Sequence, residues 1–263
     1  MKEIPNYKSI ILEIKGNLAI ITINKPDTGN SICGKVIEEL YDAFNLIRAE
    51  ESIRNVIISS SGSMFCLGPE MTWLKESLAQ SRKESLEESI LIGKLMFMIY
   101  TFPKPVICKV TGNAAGCGVG LMSVCDIVIT EEDTELVFDE VKYGFTPSLY
   151  APYVIKKIGE SKARELFLTG RKFKALEAKE IGLVNYLAEK NKLDSVVSSV
   201  LDELKSGGPK SIAMIKDVLS HVRIMRYDEV LKYTSECVAD MRESEELKEG
   251  VNSRIEKRNP SWL

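Results

Sequence analysis

Apolar and polar residues alternate in two short runs near the N-terminus, KSIILEI and LAIITIN, which are separated by KGN. Alternation with a period of two is typical of half-buried strands, and a short glycine-containing connection joins such strands into a hairpin. The next apolar pattern has the helical period. It places the following residues on one face of the segment GKVIEELYDAFNLIRAEE: Val36, Ile37, Leu40, Tyr41, Phe44 and Ile47. The chain therefore begins with a predicted β-hairpin and an amphipathic helix.

Four further apolar runs, RNVIISS, KPVICKV, DIVIT and ELVF, have the length and β-branched content of short strands. Between the first two lies a polar, charged segment, LKESLAQSRKESLEES, and then an apolar segment with helical character, ILIGKLMFMIYTF. Strands that alternate with helices are typical of α/β proteins with parallel strand pairing. The first two thirds of the chain therefore predict an α/β fold.

From about residue 148 onward the pattern is mainly helical. Gly159, Gly170 and Gly182 each follow a helix-like segment and suit a left-handed C-terminal cap. The segments SIAMIKDVLSHV, RYDEVLKYTSECVADMR and EELKEGVNSRIEKR predict three closing helices. We expect this helical region to dock on the body of the protein or on a neighbouring subunit.

Composition narrows the classes of partner. The 263 residues are 44% hydrophobic and 28% charged, with a net charge of −3, so the basic face of a nucleic-acid-binding protein is not expected. The N-terminal segment lacks the apolar core of a signal peptide, and no apolar run approaches the ~18 residues that span a bilayer. We expect no membrane partner and a cytoplasmic location.

The cysteines and the single histidine, His221, do not have the spacing of a metal site. The six cysteines are scattered without a CxxC motif: Cys33, Cys66, Cys108, Cys117, Cys125 and Cys237. We interpret them as reduced thiols, and Cys66 and Cys117 as buried, unreactive ones, although both lie in loops of interest. No metal is expected.

The segment VTGNAAGCGVGLMSVCD contains four glycines, Gly112, Gly116, Gly118 and Gly120, between a predicted strand and a predicted helix. A strand, a glycine-rich turn and a helix start can direct free backbone N–H groups at negative charge. A phosphate loop is disfavoured because GxxxxGK[ST] is absent. The remaining interpretations are an oxyanion hole, which stabilises charge developing on a carbonyl oxygen, and close helix–strand packing alone.

The segment KPVICKVTGNAAGCGVGLMSVCDIVIT resembles the signature of the crotonase family, also called the enoyl-CoA hydratase/isomerase family. The resemblance continues in order along nearly the whole chain, through LAIITINKPDTGNSI, FCLGPEM, FDEVKYGFTP, LTGRKFKALEAKEIGLV and ELKEGVNSRIEKRNPSW. It implies a spiral of ββα units over residues 1–200, with the active site, and a helical trimerisation region over residues 201–263. The expected substrate is an acyl-CoA or acyl-carrier-protein thioester, the expected assembly is a homotrimer or a dimer of trimers, and no separate cofactor is expected.

In this family, two backbone N–H groups bind the thioester oxygen, and the resemblance assigns them to Cys117 and to Pro69. Proline has no N–H, so Gly68 or a shifted loop replaces the second donor, or Cys117 acts alone. Leu67, Pro69 and Gly116 are assigned to the substrate-binding loops by the same resemblance.

The resemblance also assigns the acid–base chemistry. Hydratases of the family use two glutamates; the first would fall at Gly120, here a substrate-contact position without a carboxylate, and the second falls on Glu140. A single carboxylate fits double-bond isomerisation, in which Glu140 moves a proton from C2 to C4. Hydration, dehydration or decarboxylation of a branched or carrier-bound acyl chain remain alternatives, as does a non-catalytic acyl-CoA-binding protein.

Four further residues are candidates for contact with the substrate or for support of the loops. Tyr143 and Tyr150 are predicted to line the acyl pocket. Lys257 matches a family position that reaches the CoA phosphates of a neighbouring subunit. Glu70 stands where the family has an aspartate with a mainly structural role.

Overall fold

The computed structural model describes residues 4–263 and contains two sheets surrounded by helices. The strands are Ile10–Lys15 (β1), Leu18–Ile23 (β2), Asn55–Ser60 (β3), Val106–Val110 (β4), Ala114–Ala115 (β5), Ile127–Glu131 (β6), Glu135–Val137 (β7), Lys172–Lys174 (β8) and Tyr186–Ala188 (β9). The α-helices are Gly34–Ala49 (α1), Met71–Ser77 (α2), Arg82–Tyr100 (α3), Cys117–Val124 (α4), Ala151–Thr169 (α5), Ala175–Glu180 (α6), Leu193–Lys205 (α7), Pro209–His221 (α8), Tyr227–Glu243 (α9) and Glu245–Ile255 (α10). Short 3₁₀ helices lie at Pro26–Thr28 and Glu140–Tyr143.

The larger sheet has the strand order β1-β2-β3-β4-β6-β9. Strands β1 and β2 form the predicted antiparallel hairpin, with Ile10 opposite Ile23, and every later pair in this sheet is parallel. The smaller sheet has the order β5-β7-β8. The α/β fold and the parallel pairing predicted from the sequence are confirmed, while the short strands β5, β8 and β9 were not predicted.

The core lies between the larger sheet and the helices, and α1 contributes its predicted apolar face. Phe44 of this face is fully buried and meets the ring of Phe102 edge-on, with 5.0 Å between the ring centroids. The polar segment at residues 74–89 was predicted to precede the helix, but its first four residues end α2 and its second half belongs to α3. Helix α3 already begins at Arg82, because Ser81 and Glu84 form a reciprocal capping box at its start.

The C-terminal region contains the three predicted helices, α8, α9 and α10. It is joined to the sheet through Arg54, whose guanidinium donates to the carbonyl oxygens of Gly207 and, at 2.8 Å, Trp262. Gly170 ends α5 in the left-handed conformation, as predicted. Gly159 instead interrupts α5 with φ 76° and ψ 159°, so the prediction of a left-handed cap at that position was wrong. Within residues 4–263, no helix is both long and apolar enough to cross a membrane.

Candidate active site

The glycine cluster connects β4, β5 and α4, and two of its members allow backbone to approach backbone. A β-carbon on Gly112 would lie 1.9 Å from the carbonyl oxygen of Ser63, and one on Gly118 would lie 2.4 Å from the carbonyl oxygen of Cys66. Both contacts are with the loop that follows β3. Close packing is therefore one role of the cluster, and it brings the FCLGPEM loop against the start of α4.

These two loops run side by side. Cys66 and Ala114 form a parallel bridge, and the Ala115 N–H donates to the Cys66 carbonyl at 2.9 Å. The arrangement places Gly68, which has a φ of 91°, next to the backbone of Ala115. Gly116 precedes α4 with a φ of 49°, and Cys117 is the first residue of the helix. The two predicted donor loops are thus neighbours in space.

The first N–H groups of a helix have no partner inside the helix, and this holds for Cys117. Within the described part of the chain, neither the Cys117 N–H nor the Gly68 N–H donates to another residue. The Leu67 N–H, by contrast, donates to the Gly29 carbonyl at 3.0 Å. The N–H groups of Gly68 and Cys117 are therefore among the backbone donors of these loops that have no partner within the described residues; those of Cys66 and Gly118 are others.

Pro69 lies opposite Ile32, and the hydrogen bonds that join the two segments are made by its neighbours Gly68 and Glu70. The Ile32 N–H donates to the Gly68 carbonyl, and the Glu70 N–H donates to the Ile32 carbonyl, both at 2.8 Å. Because the Gly68–Pro69 peptide is trans, the proline nitrogen faces away from Ile32. Pro69 is half-buried and lines the cavity described next, so a proline ring stands where another residue would present an N–H.

A mainly apolar cavity of about 330 Å³ opens beside α4. Its walls come from α1, α2, α3, α4 and the segment that follows β7, and they include Leu40, Trp73, Leu95, Leu121 and Leu149. Cavities of this size and lining accept the apolar part of a small-molecule ligand. Glu140, Cys117, Tyr143 and Tyr150 also line it, and so does a second carboxylate, Glu88, which accepts a hydrogen bond from the Trp73 indole at 3.2 Å.

Glu140 lies at the start of the Glu140–Tyr143 3₁₀ helix. It is only 2% exposed. Its Oε1 accepts a hydrogen bond from the Tyr150 hydroxyl, whereas its Oε2 has no hydrogen-bond partner among the described residues. Burial raises the pKa of Glu140, the hydrogen bond from Tyr150 opposes this rise, and the charge of Asp139 adds to it. A buried carboxyl with one free oxygen at a cavity wall can exchange a proton with a ligand.

The Cys117 thiol is not a candidate nucleophile. Its hydrogen bond with Cys66 and its burial raise its pKa well above the usual cysteine value. The thiol therefore stays protonated at neutral pH, and only the thiolate is a good nucleophile. The interpretation of Cys117 as an unreactive thiol agrees with this environment, and its backbone N–H remains the group of interest.

The other predicted site residues lie in different places. Tyr143 lines the cavity and stacks on Phe145, with 6.5 Å between the ring centroids. Glu70 forms an ion pair with Lys25, which lowers the pKa of Glu70 and ties the first loop to the turn after β2. Lys257 is exposed beyond the end of α10 and does not line the cavity. Leu67, Gly68 and Gly116 lie in the two loops and Gly120 lies in α4, and none of the four lines the cavity.

The contact of Tyr150 with both Glu140 and Gly120 was not predicted. A β-carbon on Gly120 would lie 2.5 Å from Cγ of Tyr150, so the tyrosine ring fills the space that a side chain at position 120 would need. Gly120 was predicted between the strand and the helix, but it lies inside α4, where glycine costs about 1 kcal/mol relative to alanine.

The start of α4, the neighbouring FCLGPEM loop and the buried carboxyl group of Glu140 lie together beside the apolar cavity on this two-sheet fold. The family Enoyl-CoA hydratase/isomerase has a sequence model that matches residues 13–263, and the chain belongs to this family. The crystal structure of an enoyl-CoA hydratase from Shewanella pealeana superposes with a TM-score of 0.93 at 29% identity, covering 97% of this chain and 96% of that one.

The names of similar proteins refer to different reactions. A protein of Thermus thermophilus, whose name gives enoyl-CoA hydratase as its inferred activity, is 30% identical over 248 residues, which cover 94% of this chain and 98% of its own length. The trans-2-decenoyl-[acyl-carrier-protein] isomerase of Streptococcus mutans is 24% identical over 259 residues, which cover 98% of each chain. Within residues 4–263, no group of His, Cys, Asp and Glu side chains converges as a metal-ligand set.

Proposed function

We propose that the protein is an isomerase that converts a 3-enoyl thioester into the 2-enoyl thioester, with Glu140 as the single proton carrier. The observation that carries this proposal is the state of the Glu140 carboxyl group. One oxygen is held by Tyr150, the other has no partner among the described residues, and the whole group is buried beside α4. Such a group can accept a proton and return it without a second acid.

The reaction requires charge stabilisation as well as a base. Glu140 removes a proton from C2, the C2–H electrons and the double bond rearrange into a dienolate, and the negative charge collects on the thioester oxygen. The Cys117 N–H at the start of α4 donates to this oxygen, with the Gly68 N–H as the second donor. Glu140 then returns the proton to C4, so nothing is added to or removed from the substrate overall.

Hydration of a 2-enoyl thioester is the second candidate function. It is supported by the names of the Thermus and Shewanella proteins, which are enoyl-CoA hydratases by name. The isomerase proposal is supported by the name of the Streptococcus relative and by Tyr150, whose ring takes the space at position 120. The Streptococcus name also supports an acyl-carrier-protein thioester as an alternative to acyl-CoA.

The experiment that tests the proposal is product analysis by mass spectrometry and NMR. The purified protein is incubated with 3-enoyl-, crotonyl-, longer 2-enoyl- and methylglutaconyl-thioesters, on CoA and on a carrier protein. Conversion of 3-enoyl to 2-enoyl thioesters without a change of mass supports isomerisation. A mass gain of one water favours the hydratase, loss of water or carbon dioxide favours the branched-chain alternatives, and tight binding without conversion of any substrate favours a non-catalytic protein.

The activity is expected to depend on pH through Glu140. The base must be ionised to accept the proton, and burial raises its pKa above the ordinary value for glutamate. The kcat/KM should therefore rise with pH and level off above the raised pKa. A pH–rate profile between about pH 4.5 and 8 measures this limb. A profile that is flat over that range, in a protein shown by circular dichroism to remain folded, would exclude Glu140 as the ionising group.

We infer that the protein works in the cytoplasm as a homotrimer or a dimer of trimers, in which Lys257 contacts the CoA phosphates bound by a neighbouring subunit. The exposure of Lys257 and of apolar side chains such as Ile215, Leu219 and Leu231 supports this inference. Lys257→Ala is expected to raise KM for a CoA thioester several-fold and to leave KM for the matching pantetheine thioester unchanged. Equal KM values for wild type and variant with both substrates would contradict the role.

A further inference from the structure

Tyr150 lies immediately before α5, at the end of a turn that starts at Pro147. The N–H groups of Tyr150 and Ala151 both donate to the Pro147 carbonyl, at 3.1 and 2.9 Å. The ring of Tyr150 is only 4% exposed and stacks on Phe138, with 6.1 Å between the ring centroids. The phenol is therefore fixed by its own turn and by the core, and its hydroxyl is directed at Glu140.

Gly120 makes this position possible. It lies inside α4, and its N–H donates to the Gly116 carbonyl at 3.0 Å, so no unusual backbone conformation requires a glycine there. A β-carbon on Gly120 would instead lie 2.5, 2.6 and 2.9 Å from three carbon atoms of the Tyr150 ring. Ring carbons cannot move aside as the end of a flexible side chain can. Even alanine at position 120 would displace the ring.

We propose that Tyr150 is the positioning residue of Glu140, and that Gly120 is required because it leaves room for the tyrosine ring. The inference rests on the proposed function, because it assigns a role to the residue that holds the proposed base. Tyr150 and Gly120 affect the reaction by fixing the position of the Glu140 carboxyl group. The tyrosine itself exchanges no proton with the substrate.

The positioning effect follows from the two oxygens of Glu140. The Tyr150 hydroxyl holds Oε1, and the backbone of Gly116 lies close to the same oxygen, since a β-carbon there would be 2.8 Å from it. The carboxyl group cannot rotate freely, and Oε2 remains the oxygen that has no partner within the described chain. Proton removal at C2 and delivery at C4 then occur from one fixed oxygen.

Tyr150 also fills space next to the base. The tyrosine ring occupies the room beside Gly120 that a polar side chain or a water molecule would otherwise enter. Burial and the neighbouring Glu140 carboxyl raise the pKa of the Tyr150 phenol, so the phenol stays protonated and remains a donor. An apolar ring at this point disfavours addition of water and favours return of the proton to the substrate.

The first test compares Tyr150→Phe with Tyr153→Phe. Phenylalanine keeps the ring and removes the hydroxyl, so kcat should fall about 10- to 100-fold with little change in KM, as expected for loss of a hydrogen bond to a charged group. The acidic limb of the pH–rate profile should move to higher pH, because the hydrogen bond from Tyr150 lowers the pKa of Glu140. Tyr153 lies on α5 and packs on Tyr100, and Tyr153→Phe should leave kcat and the limb unchanged.

The other ionisable groups that interact with Glu140 are Asp139, Tyr143 and the Cys117 thiol, and all three remain in both variants. A shift of the acidic limb in Tyr150→Phe alone therefore reports on the lost hydroxyl. The proposal is wrong if Tyr150→Phe has the kcat and the pH limb of Tyr153→Phe.

The second test compares Gly120→Ala with Gly93→Ala. Both glycines are helical, but a β-carbon on Gly93 would have its nearest neighbour at 4.0 Å. Gly120→Ala should reproduce the kcat loss and the pH shift of Tyr150→Phe, because it moves the ring away from Glu140. Gly93→Ala should keep wild-type kinetics and unfold at an equal or higher temperature. Wild-type kinetics in Gly120→Ala would overturn the proposed need for glycine.

A titration that does not depend on turnover separates this inference from the proposed function. The carboxyl carbon of Glu140 is observed by ¹³C NMR in labelled protein and is assigned from its absence in Glu140→Gln. A higher pKa in Tyr150→Phe than in wild type and Tyr153→Phe supports the positioning role whatever the reaction is. An unchanged pKa overturns it. If Glu140→Gln keeps full isomerase activity, the proposed function fails instead.

Discussion

Glu140→Gln is expected to lower kcat for a 3-enoyl thioester by about three orders of magnitude, within the range for removal of a general acid–base group. Glutamine has nearly the same size, and its amide oxygen can still accept the hydrogen bond that Tyr150 donates to Glu140. The amide cannot accept a proton from C2 or return one to C4. Stopped-flow absorbance of the conjugated product measures kcat, and calorimetry should show unchanged binding of a saturated acyl-CoA.

Two further variants make this experiment specific. Glu135→Gln removes a carboxylate on β7 that pairs with Lys172 at the surface, and it should leave kcat unchanged. Glu88→Gln alters the other carboxylate that lines the cavity and should cost far less than Glu140→Gln, since Glu88 is engaged by the Trp73 indole. A large loss in Glu88→Gln together with an active Glu140→Gln would place the base on α3 and contradict the assignment.

Cys117→Pro should lower kcat about 100- to 1,000-fold, the effect of removing one donor from an oxyanion hole. The substitution deletes the backbone N–H at the first position of α4, which the helix itself does not use. Proline is favoured at this position of a helix, and Gly116 before it has no β-carbon to collide with the proline ring. The protein should therefore fold, bind the acyl chain and fail to stabilise the enolate.

Arg82→Pro is the matched control for Cys117→Pro. Arg82 is the exposed first residue of α3, and the extended backbone of Ser81 before it suits a following proline. Both variants should unfold within a few degrees of wild type, but only Cys117→Pro should lose activity. Cys117→Ala, which keeps the N–H, should retain most of the activity. If Cys117→Pro is fully active, the start of α4 does not hold the thioester oxygen.

The fold was predictable where one periodicity extends over many residues. The alternation in β1 and β2 and the apolar face of α1 are long enough to identify the elements, and both are confirmed. Strand β8 was missed because its three residues, Lys172 to Lys174, expose both lysines and bury only Phe173. It pairs with β7, which lies more than thirty residues earlier in the chain, and no local pattern indicates such a pairing. Ser81 and Glu84 have the spacing of a capping box, which indicates a helix start at this point. The early start of α3 was nevertheless missed, because the charged residues around it lack an apolar helical pattern.

Sequence alone led to Cys117 and Glu140 as candidates, and the structure places both at the wall of one cavity, while their catalytic roles stay predictions. The site was not predictable where distant segments meet. Tyr150 follows Gly120 by thirty positions, and the contact depends on the turn at Pro147 and on the packing of α4 against α5. The position of the Pro69 ring at the cavity likewise follows from its bridge with Ile32, a pairing between residues far apart in sequence.

The most direct measurement follows the migrating proton. A 3-enoyl thioester deuterated at C2 is converted in water enriched in oxygen-18, and the product is examined by NMR and mass spectrometry. Transfer by Glu140 predicts a 2-enoyl thioester with deuterium at C4, no oxygen-18, and no transfer in Glu140→Gln. A 3-hydroxyacyl product that carries oxygen-18 would show that water, rather than the returning proton, completes the reaction.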